Sequence, residues 1–289
     1  MRHRLKPLLF IVLFLSQSRV TFGQQKQEES ILINAAYHYF NSEPEIAVGE
    51  VDVLLKISPN DLYYLDLRAA IMNDLTLRRI NGANKEEKLK LENTYRSYLD
   101  EAILTGEEQI KKLNGKQKEN YYGFFNLSSL YARKANFLHD AGKDSEAVNA
   151  MIQSIKLSKE CLQLNPKFQL PNGILGIAQY ELGDIWRPFR FFGRLLFKYV
   201  RKLSYEVKPD KNEGLRSLYL SLEYRGEDFR LNEARWVLAE YLFKEKRYLQ
   251  AYTIIKFLSE RYPKNSDIKK LLSKCEAKVF LAVARYDGQ

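Results

Sequence analysis

The amino-acid sequence predicts an all-α protein, an α–α superhelix assembled from repeated helical hairpins. Apolar residues recur at helical spacing along most of the chain, and only 14 Gly and 8 Pro occur among 289 residues. Small residues and proline also recur: Ala239, Ala251 and Pro263 are spaced twelve and twelve residues apart. Two antiparallel helices pack closely where a small residue lets their backbones approach, and proline ends the second helix.

Residues 29–59 are predicted to form the first hairpin. Ala35, Ala47 and Pro59 repeat the twelve-residue spacing of the C-terminal hairpin, and apolar residues flank them at helical intervals. This recurrence at both ends of the chain is the strongest internal evidence for repeats.

Two longer helices are expected next. The first spans 60–82, with Asn60 or Asp61 as its N-cap and Gly82 as its stop. The second spans 85–113 and keeps one apolar stripe opposite a solvated, charged face.

A central hairpin is predicted over 118–140 and 144–164. Ala135 and Ala147 again stand twelve residues apart, but Pro166 comes seven residues later than the spacing would place it. Seven residues are about two helical turns, so we expect the second helix to be lengthened without losing phase.

Further helices are predicted from residue 166 onward. One has Gly176 at a close-packing position and ends at Gly183, and another spans 212–225 before Gly226. A last helix follows Asn265 and shields the exposed face of the final repeat.

Residues 184–212 interrupt the repeat spacing and contain an inserted basic and aromatic helix at about 186–202, with no acidic residue in it. Its candidate docking residues are Trp186, Arg187, Arg190, Arg194, Lys198 and Arg201. The basic residues fall on one helical stripe beside an aromatic stripe. Three interpretations stay open: a structural element packed on the superhelix, a helix lying on an anionic membrane surface, and a dock for a protein partner.

Residues 1–23 have the layout of a secretory signal peptide. MRHRLK is basic, residues 8–15 are an unbroken apolar run, and a polar stretch ends at Gly23. The apolar run is too short to span a bilayer, which takes about 20 residues. We therefore expect an exported protein, with 24–284 as the folded superhelix and 285–289 as a tail.

The predicted signal peptide also changes the charge. It carries four basic residues and no acid, so its removal lowers the formal net charge from +10 to +6. That balance suits solubility or an acidic surface and is weak support for a nucleic-acid partner.

Motifs for chemistry are missing from the sequence. No HExxH, CxxC, GxSxG or GxxxxGK[ST] pattern occurs, so we expect no metal, no cofactor and no catalytic site. Cys161 and Cys275 lie within apolar helical patterns and are interpreted as small core residues, with a disulfide as the alternative in an exported chain.

The hairpin pattern resembles the tetratricopeptide repeat (TPR), a 34-residue unit with small residues and proline at these intervals. The resemblance covers most of 29–284 in architecture and 28–59, 128–166 and 232–263 at the level of motifs. LNPKFQLPNGILGIAQYELG also looks like exported bacterial proteins of this family. The resemblance implies a bacterial periplasmic, envelope or secreted protein.

In TPR proteins the first helix of each repeat lines a concave groove that binds protein or peptide partners. The positions that correspond here are Tyr39, Asn136, His139, Glu233, Trp236, Glu240, Phe243 and Lys244. The Trp of the family motif would fall on Arg235, so Trp236 is displaced by one residue. Trp236 either anchors a partner in the groove or packs against the next helix, and both interpretations stay open.

The leading hypothesis is therefore a non-enzymatic scaffold that binds a protein or peptide in the cell envelope. The alternative is a peripheral protein that docks on a membrane surface through 186–202. An enzyme on a helical scaffold is a third class, for which the sequence offers no set of catalytic residues.

Overall fold

The computed structural model describes residues 26–113, 120–189 and 202–286, and within those ranges it contains helices and turns but no strand. The main helices are α1 (26–40), α2 (Pro44–Ile57), α3 (Leu62–Ile80), α4 (Lys85–Lys111), α5 (Tyr121–Asp140), α6 (Asp144–Leu164), α7 (Asn172–Phe189), α8 (Lys211–Ser221), α9 (Phe229–Lys244), α10 (Tyr248–Arg261) and α11 (Ser266–Tyr286). The predicted all-α class is confirmed. The predicted signal peptide lies outside the described residues.

Three hairpins, α1–α2, α5–α6 and α9–α10, share one turn geometry. In the first, Glu43 N–H donates to His38 O and Ser42 N–H donates to Tyr39 O, while Ser42 has φ 62°. This is the Schellman motif, which satisfies the last carbonyls of a helix. The equivalent bonds recur around Gly142 (φ 71°) and Lys246 (φ 61°). Each left-handed residue stands seven positions after the predicted small residue, so the three turns are in register.

The small residues of the hairpins are buried as predicted. Ala35, Ala47, Ala239 and Ala251 are each 0% exposed and belong to one core cluster. Ala135 forms a second cluster with Leu138, Ala147 and Ala150, which come from α5 and α6 alone. An alanine at these positions removes the bulk that would hold the two helices apart.

The second helices of the three hairpins also end alike. Ser58, Asn165 and Tyr262 each leave the helical conformation before a proline, with φ between -141° and -127° and ψ between 68° and 89°, and each donates its N–H to the carbonyl four residues back. Helix α6 has 21 residues where α2 and α10 have 14. The predicted two-turn lengthening before Pro166 is therefore confirmed.

Glycines bring α7 and α8 close together. A Cβ on Gly176 would lie 2.7 Å from Gly214 O and 2.8 Å from Leu218 N. A Cβ on Gly183 would lie 2.8 Å from Lys211 N. The close-packing role predicted for Gly176 is confirmed, but the expectation that Gly183 ends its helix is wrong, because α7 continues to Phe189.

The stop predicted at Gly82 is confirmed, because α3 ends at Ile80 with Asn81 as its C-cap and Gly82 directly after it. The stop predicted at Gly226 is wrong, because α8 ends at Ser221, five residues before that glycine. Neither glycine has a positive φ. After α8 the chain turns, and the Tyr224 ring packs edge-on against Phe168 at 5.3 Å.

The first hairpin packs against the start of α11. Asn41 is 1% exposed, and its Oδ1 accepts the Lys264 N–H at 3.1 Å. Asn265 Nδ2 donates to Phe40 O at 2.8 Å, and the rings of Phe40 and Tyr262 lie 5.0 Å apart. This contact between the first hairpin and the residues before α11 therefore bounds the concave groove expected of a repeat superhelix.

The two cysteines are buried and unbonded. Cys161 lies in a cluster with Phe125 and Phe168, and Cys275 lies in a different cluster with Ile268. Burial raises the pKa of the Cys161 thiol to about 12 and that of Cys275 to about 11. They are core residues, as predicted, and the alternative of a disulfide between them is wrong.

Gly176→Ala should destabilise the protein by about 1–3 kcal/mol, because the added methyl would meet the backbone of α8. Gly49→Ala is the matched control, since Gly49 lies in α2 with nothing within 4 Å of its added Cβ. It should stabilise by about 0.5–1 kcal/mol through its better helix propensity. Urea unfolding followed by circular dichroism measures both, and equal effects would contradict the close approach of α7 and α8.

Candidate functional site

A buried network of charges joins α3, α5 and α9. Asp66 on α3 is 0% exposed. Its Oδ1 accepts from Arg133 Nε on α5 at 2.7 Å, and its Oδ2 accepts from Arg230 Nη1 on α9 at 3.4 Å. Two guanidinium groups thus compensate one buried carboxylate, the condition under which a buried charge is tolerated.

Arg230 uses all five of its N–H donors. Besides Asp66, the guanidinium donates to Asp228 Oδ1 and Oδ2 at 2.8 and 2.6 Å, to Asn126 Oδ1 at 2.7 Å and to the Tyr122 hydroxyl at 2.9 Å. Its Cζ lies 4.1 Å from the centroid of the Phe125 ring. Burial alone would lower the pKa of Arg230, but the charge of Asp228 overcomes it and holds that pKa well above its usual range.

Glu233 connects this network to the surface. Arg133 Nη1 and Nη2 donate to its two carboxylate oxygens at 3.1 and 3.0 Å, a bidentate pair. The Tyr39 hydroxyl donates to Glu233 Oε1 at 3.3 Å. Burial first, and then the Glu233 charge, raises the pKa of Tyr39, so this hydroxyl stays a hydrogen-bond donor.

Glu233 lines a cleft of about 550 Å³, which we call the Trp236 cleft. Its walls come from α1, α3, α5, α7, α9 and α10 and from the start of α11. Residues that line it include Tyr39, Asn73, Asp74, Leu77, Arg133, Asn136, Ile174, Ile177, Glu233, Trp236 and Val237. Amides and charges thus face a largely aliphatic and aromatic surface, the composition typical of a ligand cleft.

Four of the eight predicted groove residues line this cleft: Tyr39, Asn136, Glu233 and Trp236. The other four lie elsewhere. His139 is exposed and its Nδ1 lies 3.0 Å from Asp144 Oδ1, while Phe243 packs edge-on against the Tyr248 ring. Lys244 lies over the Tyr241 ring, and Glu240 is half-buried outside the cleft lining.

The position of Trp236 is compatible with both roles left open by the sequence, packing against a neighbouring helix and binding a partner. It is half-buried and packs against the core, and it also lines the cleft. Within the described part of the chain its indole N–H has no hydrogen-bond partner, and neither do the side-chain amides of Asn73 and Asn136. These groups are therefore free to bind a ligand.

The sequence interpretation missed the charged residues beneath the cleft. The sequence patterns above single out neither Asp66 nor Asp228, yet both are buried. A signal was present: Asp66 stands four residues after Leu62 and four before Ala70, on the apolar face of its helix. The partners Arg133 and Arg230 are 67 and 164 residues away, beyond any local pattern.

The docking segment is mostly outside the described residues. Trp186 and Arg187 lie in the last turn of α7. Arg190, Arg194, Lys198 and Arg201 fall in the range that the structure leaves undescribed, so the membrane hypothesis stays a prediction. Across 26–113, 120–189 and 202–286, no group of metal-binding side chains occurs and no helix is long and apolar enough to cross a membrane.

Asp66→Asn should destabilise the protein by about 3 kcal/mol, since it leaves two buried guanidinium groups without their shared carboxylate. Asp74→Asn is the control, because Asp74 makes a partly exposed pair with Arg78 that contributes at most about 1 kcal/mol. Chemical unfolding measures both variants. Equal losses would show that the network does not hold α3, α5 and α9 together.

Glu240→Gln should stabilise the protein at pH 7. Burial, with Glu181 nearby, raises the pKa of Glu240 above its ordinary 4.5 despite Lys244, so the ionised carboxylate costs stability in the folded state. This cost disappears as the pH falls below the ordinary value, because the carboxyl is then protonated in both states. Thermal unfolding of both proteins from pH 7 to pH 4 should show the difference shrinking. The exposed Glu260→Gln is the control, and a difference for Glu240→Gln that does not change with pH would show that ionisation is not its cause.

Similarity to known proteins is found among solved structures. No protein-family model and no curated protein match the chain. The crystal structure of a thermophilic TPR protein from Thermus thermophilus matches 86% of this chain and 99% of that chain, with 16% sequence identity and a TM-score of 0.46. The repeat geometry described above rests on the chain's own hydrogen bonds and packing rather than on that similarity.

Proposed function

We propose that this protein is a non-catalytic helical scaffold that binds a peptide segment of another protein in the Trp236 cleft. The observation that carries the proposal is a half-buried tryptophan with an unpaired indole N–H in a cleft of about 550 Å³. Tryptophan is one of the residues enriched among those that dominate binding energy at interfaces.

The free amides of the cleft suit a peptide backbone. Asn73 on α3 and Asn136 on α5 each offer two N–H donors and one carbonyl acceptor. A peptide bond presents one donor and one acceptor, so an amide side chain can pair with it on both counts. The apolar surface formed by Trp236, Val237 and Ile177 would then take an apolar side chain of the ligand.

The buried charge network makes the cleft rigid before a ligand arrives. Glu233 is held by Arg133 and Tyr39, and Arg133 is held in turn by Asp66. Preorganised side chains lose little conformational entropy on binding, which favours affinity. Glu233 and Arg133 therefore serve as the floor of the cleft.

The compartment follows from the predicted signal peptide. We propose that the protein acts after export, in the periplasm or envelope of a bacterium or outside the cell. Basic and apolar segments in the order seen over residues 1–23 support this location.

A photo-crosslinking amino acid at Leu77, which lines the cleft and is 45% exposed, should capture one discrete protein in the cell that makes this chain. Trp236→Ala in the same background should weaken binding by at least about 2 kcal/mol, about thirtyfold, and abolish the crosslink.

The matched control places the crosslinker at Phe280, which is 73% exposed on α11 and outside the cleft lining. It should not capture the same protein. Identical products from both positions, or a Leu77 product that survives Trp236→Ala, would refute binding in the cleft.

A further inference from the structure

A second cavity, which we call the Tyr63 pocket, lies at the N-terminal ends of α3 and α5. Its volume is about 500 Å³, within the range of roughly 300–1,000 Å³ that is usual for small-ligand sites. The residues that matter for its chemistry are Asn60, Tyr63, Gln109, Asn120, Tyr122 and Asn126. The Trp236 cleft lies along the C-terminal halves of the same two helices, so the two cavities are separate.

The amide of Asn126 has a single allowed orientation. Asn126 is 4% exposed, and its Oδ1 accepts from Arg230 Nη1 at 2.7 Å. A guanidinium can only donate, so the oxygen of this amide must face Arg230 and the Nδ2 group must face away from it. Nδ2 has no partner within the described residues, and Asn126 lines the pocket. A buried asparagine thus directs two unused N–H donors into a cavity.

Two more amides are oriented in the same way. Asn120 Oδ1 accepts the Gly123 N–H, so its Nδ2 group is the free end. Gln109 Nε2 donates to Asn60 O at 2.5 Å, so its Oε1 is the free acceptor. The pocket therefore presents donors from Asn120 and Asn126 and an acceptor from Gln109.

The charged side chains around the pocket already form hydrogen bonds with other groups of the protein. Arg230, behind Asn126, spends all five donors on protein partners, so it has none for an anion. Asp61 is the one charged residue in the described pocket lining, and its Oδ1 caps α3 by accepting from Tyr63 N–H and Tyr64 N–H. A phosphate or carboxylate ligand would find no free cation among these residues, and desolvating it there would be costly.

We propose that the Tyr63 pocket binds a neutral, hydroxyl-rich ligand, namely one sugar unit of a saccharide. Each hydroxyl group both donates and accepts, so neighbouring hydroxyls can pair with the amide donors of Asn120 and Asn126 and with the Gln109 acceptor. The aromatic rings of Tyr63 and Tyr122, whose centroids lie 6.0 Å apart, supply an apolar surface for the C–H face of a sugar.

This binding is independent of peptide binding in the Trp236 cleft. Asp66 and Arg230 lie between the two cavities and are held by bonds that neither ligand needs to break. Trp236→Ala should therefore leave saccharide binding unchanged, and failure of one proposal would not remove the other.

Ligand-observed saturation-transfer NMR on the full chain tests the proposal, with glucose, N-acetylglucosamine, maltose and lactose as probes. At least one neutral sugar should give a saturable signal. Glucose 6-phosphate, glucuronate and the peptide mimic N-acetylalanine amide are the comparators and should bind more weakly.

Asn120→Asp and Asn126→Asp should each weaken the sugar signal by about tenfold, since each keeps its acceptor and loses its N–H donors. Asn84→Asp is the matched control, because Asn84 also caps a helix through its Oδ1, which accepts from Glu86 N–H and Glu87 N–H, but it lies outside the pocket lining. If the Asn126→Asp variant does not fold, the sugar signal of the Asn120→Asp variant alone tests the proposal.

No saturable signal from any neutral sugar would overturn the proposal. So would comparators that bind as well as the sugars, or an Asn120→Asp variant that binds like the unaltered protein. Stronger binding of N-acetylalanine amide would assign the pocket to a peptide instead.

Discussion

The buried carboxylate of Asp66 and its two arginine partners are the interaction on which the remaining structure depends. The three residues come from α3, α5 and α9, and their geometry sets how these helices face one another. A charge with 0% exposure is tolerated only when its hydrogen bonds are complete. Packing that separated these helices would leave several buried charges unpaired, so the network excludes alternative arrangements more strongly than apolar contacts do.

The two cavities follow from this arrangement. The network fills the centre between α3, α5 and α9. The cleft and the pocket lie on either side of it, along α3 and α5. On one side Arg133 orients Glu233, and on the other Arg230 orients Asn126. The same guanidinium groups that satisfy Asp66 therefore also fix the polar groups offered to each ligand.

Repeat geometry and closure come from different causes. Schellman turns at Ser42, Gly142 and Lys246 give three hairpins the same local shape, because each depends only on hydrogen bonds within a few residues. Contact between the first hairpin and α11 instead depends on Asn41 and Lys264, which are 223 residues apart. A regular superhelix would leave its groove open at both ends, whereas this contact bounds it.

The sequence by itself determined the helical class, the three hairpins and the two-turn lengthening before Pro166. These features depend on periodicity, capping and proline, which act over one or two turns. Only the tertiary structure decided that α7 passes through Gly183, that α8 ends at Ser221, and that Asp66, Arg133 and Arg230 are buried together. The reason is physical: whether a charged side chain is buried depends on partners brought to it by helices far away in the chain, and no local pattern encodes that distance.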